Sequence, residues 1–579
     1  MRNGVYDAMN LSHITRNKML AIVIFTAVLQ IALLICSFCF FKKGFAGDEI
    51  YSYATANSSE TMSPIIDFDG TLHLNEWIPS ESLMNAVIVE KDEIFNYGHI
   101  NDILRDDAHP PLYFYLLHFF SSFFQGSFSW VPSIVINSLS IFVMLIFFYR
   151  LFLLFCDDRY ISLLAMIFFG LTSAAVNMMT FSRNYTLMTA FMVIFIFYLF
   201  KAMQQHELKK KSAACIILAS ISLYLAAMSQ YLSIAFGFLM TFFICIYYLL
   251  KKDLKFMFAI GLSMSLSILL MIASFHHVIY QLANDQTSME MSESYPFLLE
   301  LRITIRIIFH ELFGIKTPVQ ATMISFWLFW GCIMIVGIYL ILRFLFRADQ
   351  WFIELRKKTL YFITSYLPKK ESLRLFQYFS LLSAVLILIL IIAYKFKMYF
   401  FYPNSNRYLF ITFPFAAFLI LMPVLKVLKN KLVVTVLVTI LSASSLFLGP
   451  KPYLGNSNIS VSDVNNIING SDIIVFSQNY YAGVNLGLLY LENSDRVFFT
   501  TDYTYNKNMN KIISGLSEEK TLYMLYLWPA YTANDTKQQL LNILKNFEDY
   551  GITTINDTPK NYGAKLIEGF GGFVLIQLR

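Results

Sequence analysis

KMLAIVIFTAVLQIALLICSFCFF, residues 18–41, runs straight into KKGFAGDEIYSY, residues 42–53. The first segment carries no charge between Lys18 and Lys42. As a helix it is long enough to cross the roughly 30 Å hydrocarbon core of a bilayer. It is too long for the apolar part of a signal peptide and lacks a small-residue cleavage site, so it reads as a retained span. Just past it stand two carboxylates, Asp48 and Glu49. Charge at a membrane edge is costly to hold unless it is solvated or used. The rest of the chain is read as building a lipid-facing cavity around this pair.

Composition supports that frame. The 579 residues are 57% hydrophobic and 17% aromatic, with only 14% charged, and the mean hydropathy is +0.57. Apolar runs recur through the first 450 positions, which makes this a polytopic α-helical membrane protein. The excess of 44 Lys+Arg over 38 Asp+Glu is small and gives no reason to expect a nucleic-acid partner. All six cysteines (36, 39, 156, 215, 245 and 332) lie in or beside apolar spans, so no disulfide framework is implied.

Further spans are expected near 131–155, 160–181, 185–200, 213–230, 232–250, 256–279, 322–346, 377–396, 408–425 and 432–449. The aromatic run 112–125 after His109-Pro-Pro111 is ambiguous, being short for a span. Charge bias arbitrates. After residue 140 one alternating set of loops holds 20 Lys and Arg and the other holds seven. The richer set belongs in the cytoplasm. With a cytoplasmic N-terminus bearing Arg2, Arg16 and Lys18, the alternation works only if 112–125 does not cross. The expectation is eleven spans, the N-terminus inside and the C-terminus outside. The His-Pro-Pro helix then lies at the outer surface, and Lys42-Lys43 snorkel to the interface. A second outer helix is expected at about 296–313, with Arg302, Arg306 and His310 in one polar stripe. A basic interfacial helix is expected in the cytoplasmic loop 348–376.

From Lys451 the composition turns to Asn, Ser, Asp and Thr. Strand-like runs at 472–477, 496–501, 521–528 and 570–577, with a helical pattern at 536–547, predict a small extracytoplasmic α/β domain over 451–579. The membrane domain is 1–450, and 44–130 is its first outer loop.

The topology sorts the unusual polar residues onto one side: Asp48, Glu49 and Tyr51; Asp106, Asp107 and His109; Arg183 and Tyr185; Gln230 and Tyr231; Arg407 and Tyr408. A carboxylate facing scattered cations suits group transfer from an anionic lipid. It can deprotonate an acceptor hydroxyl while the cations stabilise a phosphate leaving group. Each residue also has an ordinary reading. Asp48-Glu49 can be a solvated helix end, His109-Pro-Pro a helix start, Arg183 and Arg407 interfacial anchors, and Gln230-Tyr231 aromatic-belt material. The Arg302/Arg306 stripe can be a snorkelling face, or it can hold lipid phosphate or an anionic acceptor. Asp48, Glu49 and His109 also suggest a divalent cation, Mg2+ or Mn2+, which would need several oxygen ligands to converge.

Gly-Asp-Glu-x-Tyr after the first span, an outer His-Pro-Pro-Leu-Tyr, a Ser-Arg-x-Tyr turn and an Arg-Tyr before a late span resemble the GT-C glycosyltransferase superfamily. The nearest part is its protein O-mannosyltransferase and aminoarabinose-transferase branch. The resemblance covers about 15–450 and not 451–579. It implies a polyprenyl-phosphate or dolichyl-phosphate sugar donor, transfer on the non-cytoplasmic face, and inversion without a covalent intermediate. It also implies Asp48 as base, Glu49 orienting the acceptor or a cation, His109 near the lipid phosphate, and Arg183 and Arg407 as phosphate ligands. The segment 44–108 departs from the pattern by its length.

Three classes of function follow. The first is a glycosyltransferase in a bacterial plasma membrane, acting on an envelope glycan, a lipid-linked glycan or a protein hydroxyl. The second is a transporter or flippase of lipid-linked sugars, which should show inverted repeats or broken helices with polar residues near the midplane. The third is a polysaccharide polymerase or ligase using a large outer loop such as 281–320. Clean spans and one-sided polar residues point to the first.

Overall fold

The apolar runs fold as helices because a backbone inside a bilayer must satisfy its own hydrogen bonds. The structure, a computed structural model, describes residues 16–58, 61–63, 66–67, 74–105, 107, 109–284, 297–315, 369–395, 403–428, 430–454, 461–477, 488–501, 504–517, 519–528, 533–550, 552, 564–565 and 572–578. Helix α1 (Arg16–Phe41) is followed by α2 (Gly47–Asn57). The first loop then holds β1 (Thr61–Ser63), β2 (Ile66–Asp67), β3 (Trp77–Pro79), α3 (Ser80–Met84) and α4 (Gly98–Arg105). After it come α5 (Leu112–Ser121), α6 (Val131–Cys156), α7 (Arg159–Gly170), α8 (Ser173–Thr180), α9 (Tyr185–Glu207) and α10 (Ala213–Ala227). The membrane part is completed by α11 (Leu232–Leu250), α12 (Leu254–Ser274), α13 (His277–Asn284), α14 (Phe297–Phe313), α15 (Lys369–Lys395), α16 (Phe413–Val427) and α17 (Lys431–Leu448).

Seven described helices are each long and apolar enough to cross a membrane, eight if the bent pair α7–α8 is one span. Their outward faces are apolar. Phe238, Phe242, Ile246 and Leu249 on α11, and Leu262, Leu266 and Leu269 on α12, are all exposed. Large apolar side chains exposed at helical spacing are the lipid-facing side of a bundle. Of these seven, α9 is the most enclosed, with Met188, Met192, Phe195 and Leu199 buried, and it packs against α6 and α10.

Helices occupy ten of the eleven expected span ranges. The range 322–346 and the basic run 351–358 lie outside the described residues. Two expectations change. The cytoplasmic loop expected over 348–376 is helical from Lys369, where α15 begins. The expected clean span 160–181 is broken, with α7 and α8 meeting at 56°. A Cβ on Gly170 would come 2.4 Å from Nε2 of Gln30, and that amide donates to the Ile167 carbonyl at 2.8 Å. Two residues on, the Thr172 hydroxyl accepts from the Ala175 amide at 3.2 Å and starts α8. Thr172, Ser173, Asn177 and Thr180 are all buried, because a helix this polar is tolerated at a membrane only when protein surrounds it.

Helix α5 has ten residues, about 15 Å of helix against a core of about 30 Å. It packs on α2 and α6. A cysteine at Ser127, exposed just beyond α5, is expected to react with a membrane-impermeant maleimide added to intact cells. Protection there, with labelling only after permeabilisation, would overturn the outer placement of α5.

The C-terminal part contains α18 (Val461–Ile467), β4 (Asp472–Ser477), β5 (Arg496–Thr500), α19 (Tyr505–Ser514), β6 (Leu522–Trp528), α20 (Ala533–Glu548), β7 (Ala564–Lys565) and β8 (Gly572–Leu578). The six strands run in the order β3-β5-β4-β6-β8-β7. Strands β5, β4 and β6 are parallel, and the others are antiparallel to their neighbours. The edge strand β3 comes from the loop after α2, with Trp77 opposite Phe498 and Pro79 opposite Arg496. The sheet is therefore not made from 451–579 alone.

Both faces of the sheet are covered, which explains the unbroken apolar reading of DIIVFS. Ile474, Phe476, Phe498 and Met524 form one core with Met509 and Ile512 of α19 and Ile543 and Phe547 of α20. Ile473, Val475, Val497 and Phe499 join a second core that also holds Ile50 and Tyr53 of α2 and Tyr113 and Phe114 of α5. The second face is thus seated on the helices that carry the candidate site.

Candidate active site

Successive residues on a helix point about 100° apart, so Asp48 and Glu49 in the first turn of α2 cannot face the same way. The structure separates them. Glu49 turns inward and is fully buried. Its carboxylate accepts from Nζ of Lys42 at 2.6 Å, from the Ser182 amide at 2.8 Å and from the Ala46 amide at 2.8 Å. Lys42 does not snorkel. Its side chain is 1% exposed and its ammonium also donates to the Thr180 carbonyl at 2.5 Å. Burial pulls the Lys42 ammonium below its ordinary value, and Glu49 opposes that. The pair ties the end of α1 to the start of α2 and to the α8–α9 turn.

Asp48 turns the other way and keeps 29% of its side chain exposed. It forms an ion pair with the Arg407 guanidinium. Arg407 lies in a 3-10 turn, Pro403–Leu409, just before α16, and its second nitrogen donates to the Tyr408 hydroxyl at 3.3 Å. Burial pushes the Asp48 carboxyl up, yet the guanidiniums facing it, Arg407 first and then Arg183, outweigh it and hold the group below the usual carboxylate range. Asp48 is therefore ionised at neutral pH and free to accept a proton on its exposed side.

Arg183, in the turn between α8 and α9, is 4% exposed. It donates to the Ser52 hydroxyl at 2.8 Å and contacts Nε2 of His109 at 3.0 Å. A guanidinium has no acceptor, so Nε2 of His109 must accept. Its Nδ1, 2.8 Å from an Asp107 oxygen, then carries the hydrogen and donates. This fixes the neutral Nδ1–H tautomer and a chain from Asp107 through His109 to Arg183. His109, expected near the lipid phosphate, thus stands directly against Arg183, expected as a phosphate ligand. Among the described residues, Nε of Arg183 and Nε of Arg407 are buried with no hydrogen-bond partner. Buried donors without acceptors are unusual, and two of them on paired guanidiniums suit an anion.

The other expected residues distribute around this centre. The Tyr51 ring lies 5.9 Å from the Arg183 guanidinium; its phenol is raised by burial and then by Asp107. Tyr185 and Tyr408 meet edge to face at 5.7 Å. Gln230 accepts from the Tyr231 amide at 2.7 Å, and the Tyr231 hydroxyl donates to Gln281, which in turn donates to the Leu104 carbonyl. Burial raises the Tyr231 phenol, and the Asp107 charge adds to it. Arg302 and Arg306 are half-buried on α14, and the α14 side chain that bonds to Asn406, beside Arg407, is Glu311. Asp106 lies outside the described residues.

Among the described residues no three His, Cys, Asp or Glu side chains gather around a common point as ion ligands. Asp48, Glu49 and His109 are each turned to a different partner. Sequence reading missed Lys42, whose pairing needs the turn 42–46 to fold back, and Ser52, one helical turn after Asp48.

No protein-family model and no curated protein sequence matches this chain. Among solved structures it is similar to ArnT from Cupriavidus metallidurans bound to undecaprenyl phosphate, with 12% identity, a TM-score of 0.40, and coverage of 95% of this chain and 97% of that one. It is also similar to the apo state of the same protein, with 11% identity and the same TM-score and coverage.

Proposed function

We propose that this chain is a membrane glycosyltransferase that moves a sugar from a polyprenyl-phosphate donor to a hydroxyl at the outer face of a bacterial plasma membrane. The acceptor is an envelope glycan or lipid-linked glycan, with a protein hydroxyl as the second acceptor class. The observation that carries this reading is the convergence of Arg183 and Arg407, each with a buried Nε that has no partner among the described residues, on a partly exposed Asp48 at one end of an apolar bundle.

The chemistry balances as one inverting displacement. The acceptor oxygen attacks the anomeric carbon, the bond from that carbon to the phosphate oxygen breaks, and the hydroxyl proton passes to Asp48. The polyprenyl phosphate leaves with the bonding electrons, and the guanidiniums meet the charge that develops on it. The ion pair makes the order of events self-consistent. A donor phosphate that draws Arg407 to itself weakens the largest cationic influence on Asp48. Asp48 then becomes the stronger base only when donor is bound. Glu49, turned away and bonded to Lys42, positions α2 and does not touch the acceptor.

The test is binding of undecaprenyl phosphate to the purified full-length protein. Arg183→Ala and Arg407→Ala are each expected to weaken binding by about tenfold to a hundredfold, the scale of a lost charge-assisted phosphate contact. Unchanged affinity in both variants would return them to interfacial anchors.

The flippase reading draws on one observation, the bend between α7 and α8 lined by buried polar side chains. It predicts donor movement across vesicles without sugar transfer, and an Asp48→Asn variant that still transports.

A further inference from the structure

Glu311, near the end of α14, is fully buried. Nδ2 of Asn177, on α8, reaches its two carboxyl oxygens at 2.9 and 2.7 Å. Nδ2 of Asn406, in the 3-10 turn, donates to the same group at 2.6 Å. The other end of Asn406 is also held, since the Tyr453 hydroxyl donates to its Oδ1 at 2.5 Å. The Tyr453 ring stacks on Phe181 at 4.2 Å. Phe181 closes α8 with its amide bonded to the Asn177 carbonyl at 3.1 Å. The contacts therefore form a closed ring: Glu311, Asn177, Phe181, Tyr453, Asn406 and back to Glu311.

Two members of that ring adjoin the candidate site. Asn406 precedes Arg407, and the Phe181 carbonyl accepts from the Arg183 amide at 2.9 Å. The backbone of α14 is itself anchored, because the Ser445 hydroxyl donates to the Glu311 carbonyl at 2.9 Å. We propose that Glu311 is a positioning residue whose side chain joins the turn carrying Arg183 to the turn carrying Arg407 and holds both guanidiniums at the spacing a donor phosphate needs. This rests on the donor-phosphate reading above.

The chemistry of the ring favours an uncharged group at 311. Burial pushes the Glu311 carboxyl up to about 8, against the amides of Asn406 and Asn177 and the charge of Lys451. At neutral pH it carries a proton, and that proton needs an acceptor. Oδ1 of Asn177 is buried with no hydrogen-bond partner among the described residues. Donation from Nδ2 to the Pro450 carbonyl at 3.0 Å holds the Asn177 amide in this orientation, and the Ser173 hydroxyl, which donates to the same carbonyl and also bonds with the Glu311 carboxyl, is the group that can accept the proton. Glutamine has the same shape and also offers a donor and an acceptor, so it can replace the protonated acid.

The experiment compares the affinity of the purified full-length chain for undecaprenyl phosphate with its affinity for undecaprenol, which lacks the phosphate. The ratio reports phosphate recognition and is insensitive to a general loss of lipid binding. Glu311→Ala is expected to lower the ratio by about tenfold with undecaprenol affinity unchanged, and Glu311→Gln to keep it within about twofold. If Glu311→Ala does not fold, Tyr453→Phe opens the same ring by removing one oxygen and is expected to lower the ratio by about threefold. A wild-type ratio in the folded ring-opened variant overturns the proposal. If that variant keeps the ratio while Arg407→Ala loses it, the positioning role falls and the donor-phosphate reading stands. If the wild-type protein shows no preference for the phosphate, both fall.

Discussion

Asp48→Asn is expected to lower the turnover of sugar transfer on the order of a thousandfold, the range of a lost general base. The amide keeps the size of the side chain and removes only the charge and the ability to take a proton. Donor binding should hold or tighten, because Arg407 loses its ion-pair partner and turns wholly to the phosphate. The measurement is single-turnover transfer beside undecaprenyl phosphate affinity, with envelope glycans of the variant strain compared with those of a deletion strain. Transfer at the wild-type rate would remove Asp48 from the chemistry. A parallel loss of turnover and donor affinity would instead make it a structural partner of Arg407.

The second large effect belongs to the buried pair behind the site. Lys42→Met leaves the Glu49 carboxylate enclosed with only two backbone amides. Removing one partner of a buried ion pair typically costs about 3–5 kcal/mol. The expected result is a clear drop in the apparent melting temperature of the purified protein. Lys42→Met combined with Glu49→Gln should recover much of it, since an uncharged pair of similar volume leaves no isolated charge. Strict additivity of the two single effects would show that the pair is not coupled. Because Glu49 fixes the first turn of α2, Lys42→Met is also expected to slow transfer through misplacement of Asp48, with a smaller effect on donor affinity.

The two carboxylates show how far a sequence can be read. That a charged pair after α1 had to be used or solvated followed from membrane energetics alone. Which of the two meets Arg407 and which is buried against Lys42 did not follow, because the helix turn separates them and only the fold decides which direction is interior. Arg407 is 359 positions from Asp48, and no local periodicity reports on such a pairing. The broken pair α7–α8 was hidden by its composition. Ala, Met, Thr and Ser are apolar or small enough to extend a span pattern, while the bend depends on Gly170 closing against Gln30 of another helix. Strand β3 was hidden by its length. Three residues give no alternation to read, and they become a strand only beside the edge of β5.

The sequence by itself determined the helical membrane class, most helix positions and four strands of the C-terminal part, β4, β5, β6 and β8. Hydrophobic length and alternation act locally and survive in one dimension. The tertiary structure alone decided that Asp48 meets Arg407, that Glu49 is spent on Lys42, that His109 serves Arg183, and that Glu311 joins the two arginine turns. Those are contacts between distant segments, set by which side chains can be buried together with their hydrogen bonds satisfied.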